Sequence, residues 1–140
     1  MQLSSDQAKA WEKLVRWATS DRADTHPYFV LRGYAGTGKT HLMKMLTTLD
    51  VSIQFTAPTN KATKVLSTAV GVPAATTYSA LGLRIVHDED TIRMDFGAKI
   101  PYIPEGSIFV VDEAGMNNTD LCQFIDRARI ANQCKVLYVG

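Results

Sequence analysis

Apolar spacing along the chain changes period several times, and each change marks an element. In "SSDQAKAWEKLVRWATS", Ala10, Leu14 and Trp17 share one helical face, and Ser5 or Asp6 is placed to cap the start. "THPYFVLRG" runs apolar without helical gaps and reads as a buried strand entering a glycine loop. "KTHLMKMLTTLD" resumes helical spacing, and "VSIQFTAPT" is a second apolar strand. "NKATKVLSTAVG" is a helix closed by Gly71, and "TTYSALGL" is a short helical stretch capped by Thr76 or Thr77. "GSIFVVDEAGM" is a third buried strand, "NTDLCQFIDRARIAN" a helix, and "CKVLYVG" a fourth strand. Strands alternating with helices require right-handed crossovers, which predicts an α/β fold: a parallel sheet covered by helices on both faces.

One segment departs from this rhythm. Residues 84–106, "RIVHDEDTIRMDFGAKIPYIPEG", alternate apolar with polar positions on either side of an acidic turn. The pattern fits a small β-hairpin inserted in the α/β unit, with a mobile loop as the alternative.

Composition narrows the class without naming a partner. With 140 residues, 46% hydrophobic and 21% charged, the chain is expected to form a single soluble domain, residues 1–140, with a real core. Fifteen basic against fourteen acidic residues leave no global charge to draw a polyanion, so nucleic-acid binding has to come from local sites. No apolar run reaches the roughly 18 residues of a membrane span, and "MQLSSDQAKA" lacks a signal-peptide pattern; a cytoplasmic protein without a membrane partner is expected. Cys122 and Cys134 lack zinc or redox spacing and read as two free structural thiols.

Chemistry concentrates after the first and third strands. In "GYAGTGKTH", Gly33, Gly38, Lys39 and Thr40 fit the pattern of glycine, four residues, glycine, lysine and serine or threonine, set between a strand and a helix. The loop residues Gly33, Ala35, Gly36, Thr37 and Gly38 let backbone N–H groups wrap phosphate oxygens at the helix start, where Thr40 and His41 follow. Lys39 supplies a point charge, and the Thr40 hydroxyl suits Mg²⁺. In "IFVVDEAGM", four apolar residues carry Asp112 and Glu113 to the carboxyl end of a buried strand, where α/β sheets bind ligands. Asp112 is suited to hold Mg²⁺ through water, and Glu113 to accept a proton from an attacking water. The plainer readings are a glycine turn with an exposed lysine, and two acids in a solvated turn. ATP with Mg²⁺ is the cofactor set the two motifs require together.

These motifs, in this order, resemble the first RecA-like domain of superfamily 1B DNA helicases, the RecD and Dda-like group. "LSSDQAKA" resembles the family's Q motif, which makes Gln7 the adenine reader; "GYAGTGKT" resembles motif I and "VVDEAGM" motif II. "FTAPTNKATKVL" resembles motif Ia, a single-strand contact, and "TTYSALG" resembles the next DNA-contacting motif. The resemblance implies an ATP-hydrolysing motor domain of a 5′ to 3′ DNA helicase, with Lys39 and Glu113 catalytic. It assigns single-stranded DNA to Pro58, Thr59, Asn60, Lys61 and Lys64, and to Thr77, Tyr78 and Ser79. It also places the 84–106 insertion where such helicases carry a strand-separating pin. Replication or recombination proteins are the further partner class, in a bacterial cytoplasm or that of a virus's host.

On the residues alone, hydroxyl, amide, ammonium and backbone donors at Pro58 to Lys61 can meet a phosphate backbone, or can simply be a capped helix with a solvated lysine face. Phe96 has two uses, stacking on a base or pinning the hairpin to its own domain. Two positions depart from the family: Tyr78 stands where histidine is common, and Gly115 where serine is common, which removes a hydroxyl near the ATP site. Motif III and a second RecA-like domain are expected beyond Gly140, in cis or in trans, which makes the chain a partial motor with its phosphate-loop strand at a sheet edge. A small nucleotide-dependent binding module without motor activity is the alternative of a different class.

Overall fold

The computed structural model describes residues 4–20, 26–32, 38–87, 89–97, 99–116 and 119–140. Helix α1 (Ser5–Ala18) starts at a capping box: the Ser4 hydroxyl accepts from the Gln7 N–H, and the Gln7 side-chain oxygen accepts from the Ser4 N–H. The cap is therefore Ser4, not Ser5 or Asp6, because only Ser4 has a glutamine three residues on to reciprocate. Leu14 and Trp17 are buried on the inner face, with Ala10 packed beside them.

Five strands make the main sheet: β1 (Tyr28–Leu31), β2 (Ile53–Ala57), β3 (Ala74–Thr76), β6 (Ile108–Val111) and β7 (Lys135–Val139). Their order is β1-β7-β6-β2-β3, and every pairing is parallel. The phosphate-loop strand β1 lies at one edge, as its expected order requires. β3 is an addition to the four strands read from sequence. Its "AAT" has little strand propensity of its own and is held by pairing with Phe55–Ala57.

Helices α2 (Lys39–Leu46), α3 (Asn60–Val70), α4 (Thr77–Ala80) and α5 (Thr119–Asn132) complete the crossovers. β6 shows why both faces are covered. Ile108 and Val110 join the core beneath α1, α2 and α3, while Phe109 and Val111 join the core around α4 and α5. Lys135 is buried yet charged, and its ammonium donates to the Trp17 carbonyl at 2.8 Å and the Ala18 carbonyl at 3.3 Å, at the negative end of α1.

The segment between α4 and β6 is the hairpin alternative. β4 (Leu83–His87) pairs antiparallel with β5 (Ile92–Phe96), from Leu83 opposite Phe96 to His87 opposite Ile92. The return to β6 is irregular and tied down by Asn132, which accepts from the Ile103 N–H at 3.0 Å and donates to the Pro101 carbonyl at 2.9 Å. Among the described residues no helix is long and apolar enough to cross a membrane.

Candidate nucleotide-binding site

A parallel sheet puts the carboxyl ends of β1, β6 and β2 on one rim, so the segments that follow them converge there. The β1 segment enters α2 through Gly38, whose φ of +94° favours glycine. As the N-cap of α2 it offers no side-chain hydrogen bond, and the first turn carries no acid. The positive helix end thus faces the rim with no capping side chain of its own at the N-cap position. Lys39 and His41 are half-buried in this turn, and Thr40 is exposed. Gly33, Ala35, Gly36 and Thr37 lie outside the described residues.

Gln7 approaches this turn closely. A methyl group at Gly38 would sit 2.2 Å from Gln7 Nε2, so the glycine leaves the space that the amide fills. The glutamine read as adenine-directed therefore abuts the last glycine of the phosphate loop while completing the cap of α1.

The β6 segment begins at Asp112, whose N–H donates to the Thr56 carbonyl at 2.9 Å and extends the pairing with β2 by one step. Its Oδ1 accepts from the Glu113 N–H at 2.9 Å. Burial pushes the Asp112 carboxyl above the usual carboxylate range; that N–H and the Lys39 charge pull the other way, and the Glu113 charge reinforces the rise. A divalent cation would offset this desolvation. Among the described residues no three His, Cys, Asp or Glu side chains converge. Mg²⁺ is commonly held by one or two carboxylates plus phosphate and water, a role that the Asp112 carboxylate and Thr40 hydroxyl lining one cleft would suit. Glu113 has φ +53°, a left-handed conformation uncommon for a residue with a side chain and one that recurs at functional turns.

The β2 segment passes Pro58 into α3. Thr59 is the N-cap, its hydroxyl accepting from the Ala62 N–H at 3.1 Å, and Asn60, Lys61 and Lys64 are exposed. Thr59 and Lys61 line a cleft of about 280 Å³ together with Thr40, Asp112 and Glu113. A parallel sheet places the start of α3 on the same rim as the two acids, and the β2–β6 register sets them against one cleft.

Two expected strand contacts are placed elsewhere. Thr77 is fully buried, and its hydroxyl donates to Thr56 Oγ1 at 3.0 Å and lies 3.3 Å from the Ala57 carbonyl. It ties α4 to β2 and has no surface for DNA. Phe96 is 7% exposed, edge-on to Phe124 at 5.1 Å with the Arg127 guanidinium 5.0 Å from its ring centre. Of its two readings, the pin to its own domain is the one found, since the ring meets α5 rather than solvent. Tyr78 is half-buried against the same core, and Ser79 is exposed with its N–H capped by Thr76 Oγ1 at 3.1 Å. Thr56, not singled out beforehand, knits the rim by donating to the Val110 carbonyl at 2.6 Å.

A parallel sheet whose first strand feeds a glycine-lysine-threonine helix start, beside a strand ending in two acids, defines the phosphate-loop nucleotide-binding class. The family model for the AAA domain matches residues 2–140, and the chain belongs to that family. It is 28% identical over 118 residues to the ATP-dependent DNA helicase dda of Enterobacteria phage T4, covering 81% of this chain and 26% of that helicase. Its fold matches that of a Pif1 helicase from a structure of two coordinating Pif1 helicases at forked duplex DNA. The TM-score is 0.65 at 21% identity, over all of this chain and 33% of the helicase. Pif1 of Bacteroides sp in complex with ADP-AlF4 gives a TM-score of 0.65 at 20% identity, over all of this chain and 32% of that protein. The chain thus spans about a quarter to a third of the relatives it matches.

Proposed function

We propose that residues 1–140 form one RecA-like ATP-binding and ATP-hydrolysing domain of a 5′ to 3′ DNA helicase, with residues 84–106 as an insertion within it. The observation that carries this reading is the convergence of Gly38, Lys39 and Thr40 with Asp112 and Glu113 on one rim of a parallel sheet. Lys39 neutralises phosphate charge, and the open amides of α2 hold phosphate oxygens. Thr40 and Asp112 would hold Mg²⁺, which would supply positive charge to offset charge developing on the phosphate. Glu113 orients water and accepts its proton, and Gln7 reads the adenine edge. Gly33, Ala35, Gly36, Thr37 and His41 complete the phosphate cradle.

Single-stranded DNA is the proposed second ligand, met by Pro58, Thr59, Asn60, Lys61 and Lys64, together with Ser79 and the half-buried Tyr78. This rests on the exposed lysines at the start of α3 and on the likeness to DNA helicases. Thr77 and Phe96 drop out of the strand-binding set because both are buried. Unwinding belongs to a motor closed by a second RecA-like domain, in cis or in trans, since stepping requires two domains that close on nucleotide.

The test is ATP turnover with and without oligo-dT, comparing this chain, its Lys39→Ala form and a version continued past Gly140. Turnover stimulated by DNA in the continued version, and abolished by Lys39→Ala, is expected. Equal turnover with and without Lys39 would refute the site.

A further inference from the structure

Helix α1 carries the proposed adenine contact at one end and a buried cation at the other. Gln7 lies in its first turn, against Gly38. The core side chains of α1, Leu14, Trp17 and Ala18, all fall in its second half, while Gln7, Ala10 and Trp11 are half-buried. At that second end stands Lys135, the first residue of β7, only 1% exposed. Its ammonium donates to the carbonyls of Trp17 at 2.8 Å, Ala18 at 3.3 Å and, just past the helix, Ser20, and it lies 5.6 Å from the centre of the Trp17 ring. The indole N–H of Trp17 is tied in turn to the His26 carbonyl at 2.8 Å. Burying an ammonium is costly, and an apolar side chain of similar shape would avoid that cost. What the cation adds is a directional grip on the carbonyls that end α1, applied from an interior strand of the sheet.

We propose that Lys135 is a positioning residue for base recognition: its grip fixes the tilt of α1, and with it the place of Gln7 over the adenine. Lys135 touches neither the base nor the phosphate loop, because it begins β7 and so lies at the end of the parallel sheet opposite the nucleotide rim. The link is the helix itself. At a rise of about 1.5 Å per residue, Gln7 stands about 15 Å from Trp17 along the axis. A tilt of about 5° at the gripped end moves Gln7 by about 1 Å, enough to break a hydrogen bond of ordinary length. The inference rests on Gln7 reading adenine and adds the residue that sets where Gln7 stands.

The experiment is isothermal titration of the chain with ATPγS, GTPγS and inorganic tripolyphosphate, each with Mg²⁺. The unmodified chain is expected to prefer ATPγS over GTPγS by about 10-fold or more, as one or two hydrogen bonds to the base allow. Lys135→Met, which keeps the bulk and removes the charge, should bring that preference to within about 2-fold of unity and leave tripolyphosphate affinity unchanged. Gln7→Ala should do the same, and adding Lys135→Met to it should change nothing further. If Lys135→Met does not fold, Lys13→Gly decides: this exposed position lies between Gln7 and the gripped end, and a glycine there softens the helix that joins them. Its preference should also fall. Full preference in folded Lys135→Met, or in Lys13→Gly where the first variant does not fold, overturns the proposal. Equal losses of ATPγS, GTPγS and tripolyphosphate binding in Lys135→Met overturn it too, since they mark a role in folding alone. An unmodified chain that binds ATPγS and GTPγS alike removes the adenine-reading role of Gln7, and this inference with it.

Discussion

Replacing Gly38 by alanine places a methyl group 2.2 Å from Gln7 Nε2 and 3.0 Å from its Cδ, on a backbone with φ +94°. Two costs combine. A left-handed conformation costs a residue with a Cβ about 1–2 kcal/mol. Clearing the clash moves the glutamine, whose oxygen accepts from the Ser4 N–H, and loss of that hydrogen bond costs about 0.5–1.5 kcal/mol. The smaller unfolded-state entropy of alanine returns about 0.4–1 kcal/mol, which leaves a net loss of about 2 kcal/mol. With a urea slope of about 2 kcal/mol per molar, the midpoint should fall by roughly 1 M without a change in slope. A Gln7→Ala background isolates the contact. There the cap is already lost and the methyl group has room, so Gly38→Ala should cost only about 1 kcal/mol, the backbone part. An equal loss in both backgrounds would show that the Gln7 amide does not fill the space above Gly38. No loss in either would show that Gly38 is not left-handed.

Thr77→Val should cost about 1–2 kcal/mol in urea melts, by removing the buried bond to Thr56, while the folded protein keeps its oligo-dT affinity. A selective fall in affinity would return Thr77 to the strand-binding set. Phe96→Ala should cost about 3–5 kcal/mol and strip hydrogen-exchange protection from β4 and β5 before the main sheet, because the ring anchors the hairpin to Phe124. Burial pushes the Tyr138 hydroxyl well above its ordinary value of 10.0, reinforced by Cys122 and Asp126, and pushes the Cys134 thiol above 9.0. Each folded group keeps its proton after the unfolded chain has lost it, so its contribution is full below those ordinary values and disappears as pH rises through the folded ones. The urea midpoint should therefore decline above about pH 9, less steeply in Tyr138→Phe; an identical decline in that variant would count against the assignment.

Elements with a strong local signal were legible from residues alone. Ile108 to Val111 is an unbroken apolar run, and all four residues are buried in a central strand. The α3 boundaries, Thr59 to Gly71, follow from a capping hydroxyl and a left-handed glycine. β3 was not legible, because "AAT" becomes a strand only through its neighbour. Ser4 and Gln7 carry a readable capping-box pattern, but the same glutamine also marks the adenine-reading motif, and Ser5 and Asp6 beside it are equally good cap residues by type. For the site, the sequence was sufficient to bring Lys39, Thr40, Asp112 and Glu113 to one rim, since strand ends of a parallel sheet share a side. It was insufficient for Thr77 and Phe96. Their surroundings are set by register and by packing across layers, which periodicity does not encode.

The central claim is that this rim binds nucleotide with Mg²⁺. Isothermal titration of the chain with ATPγS, with and without Mg²⁺, tests it most directly when repeated on Lys39→Ala and Asp112→Asn. The account predicts Mg²⁺-dependent binding that Lys39→Ala abolishes, and binding in Asp112→Asn that no longer responds to Mg²⁺. Nucleotide binding that is unchanged by either substitution, or indifferent to Mg²⁺ in the unmodified chain, would contradict it.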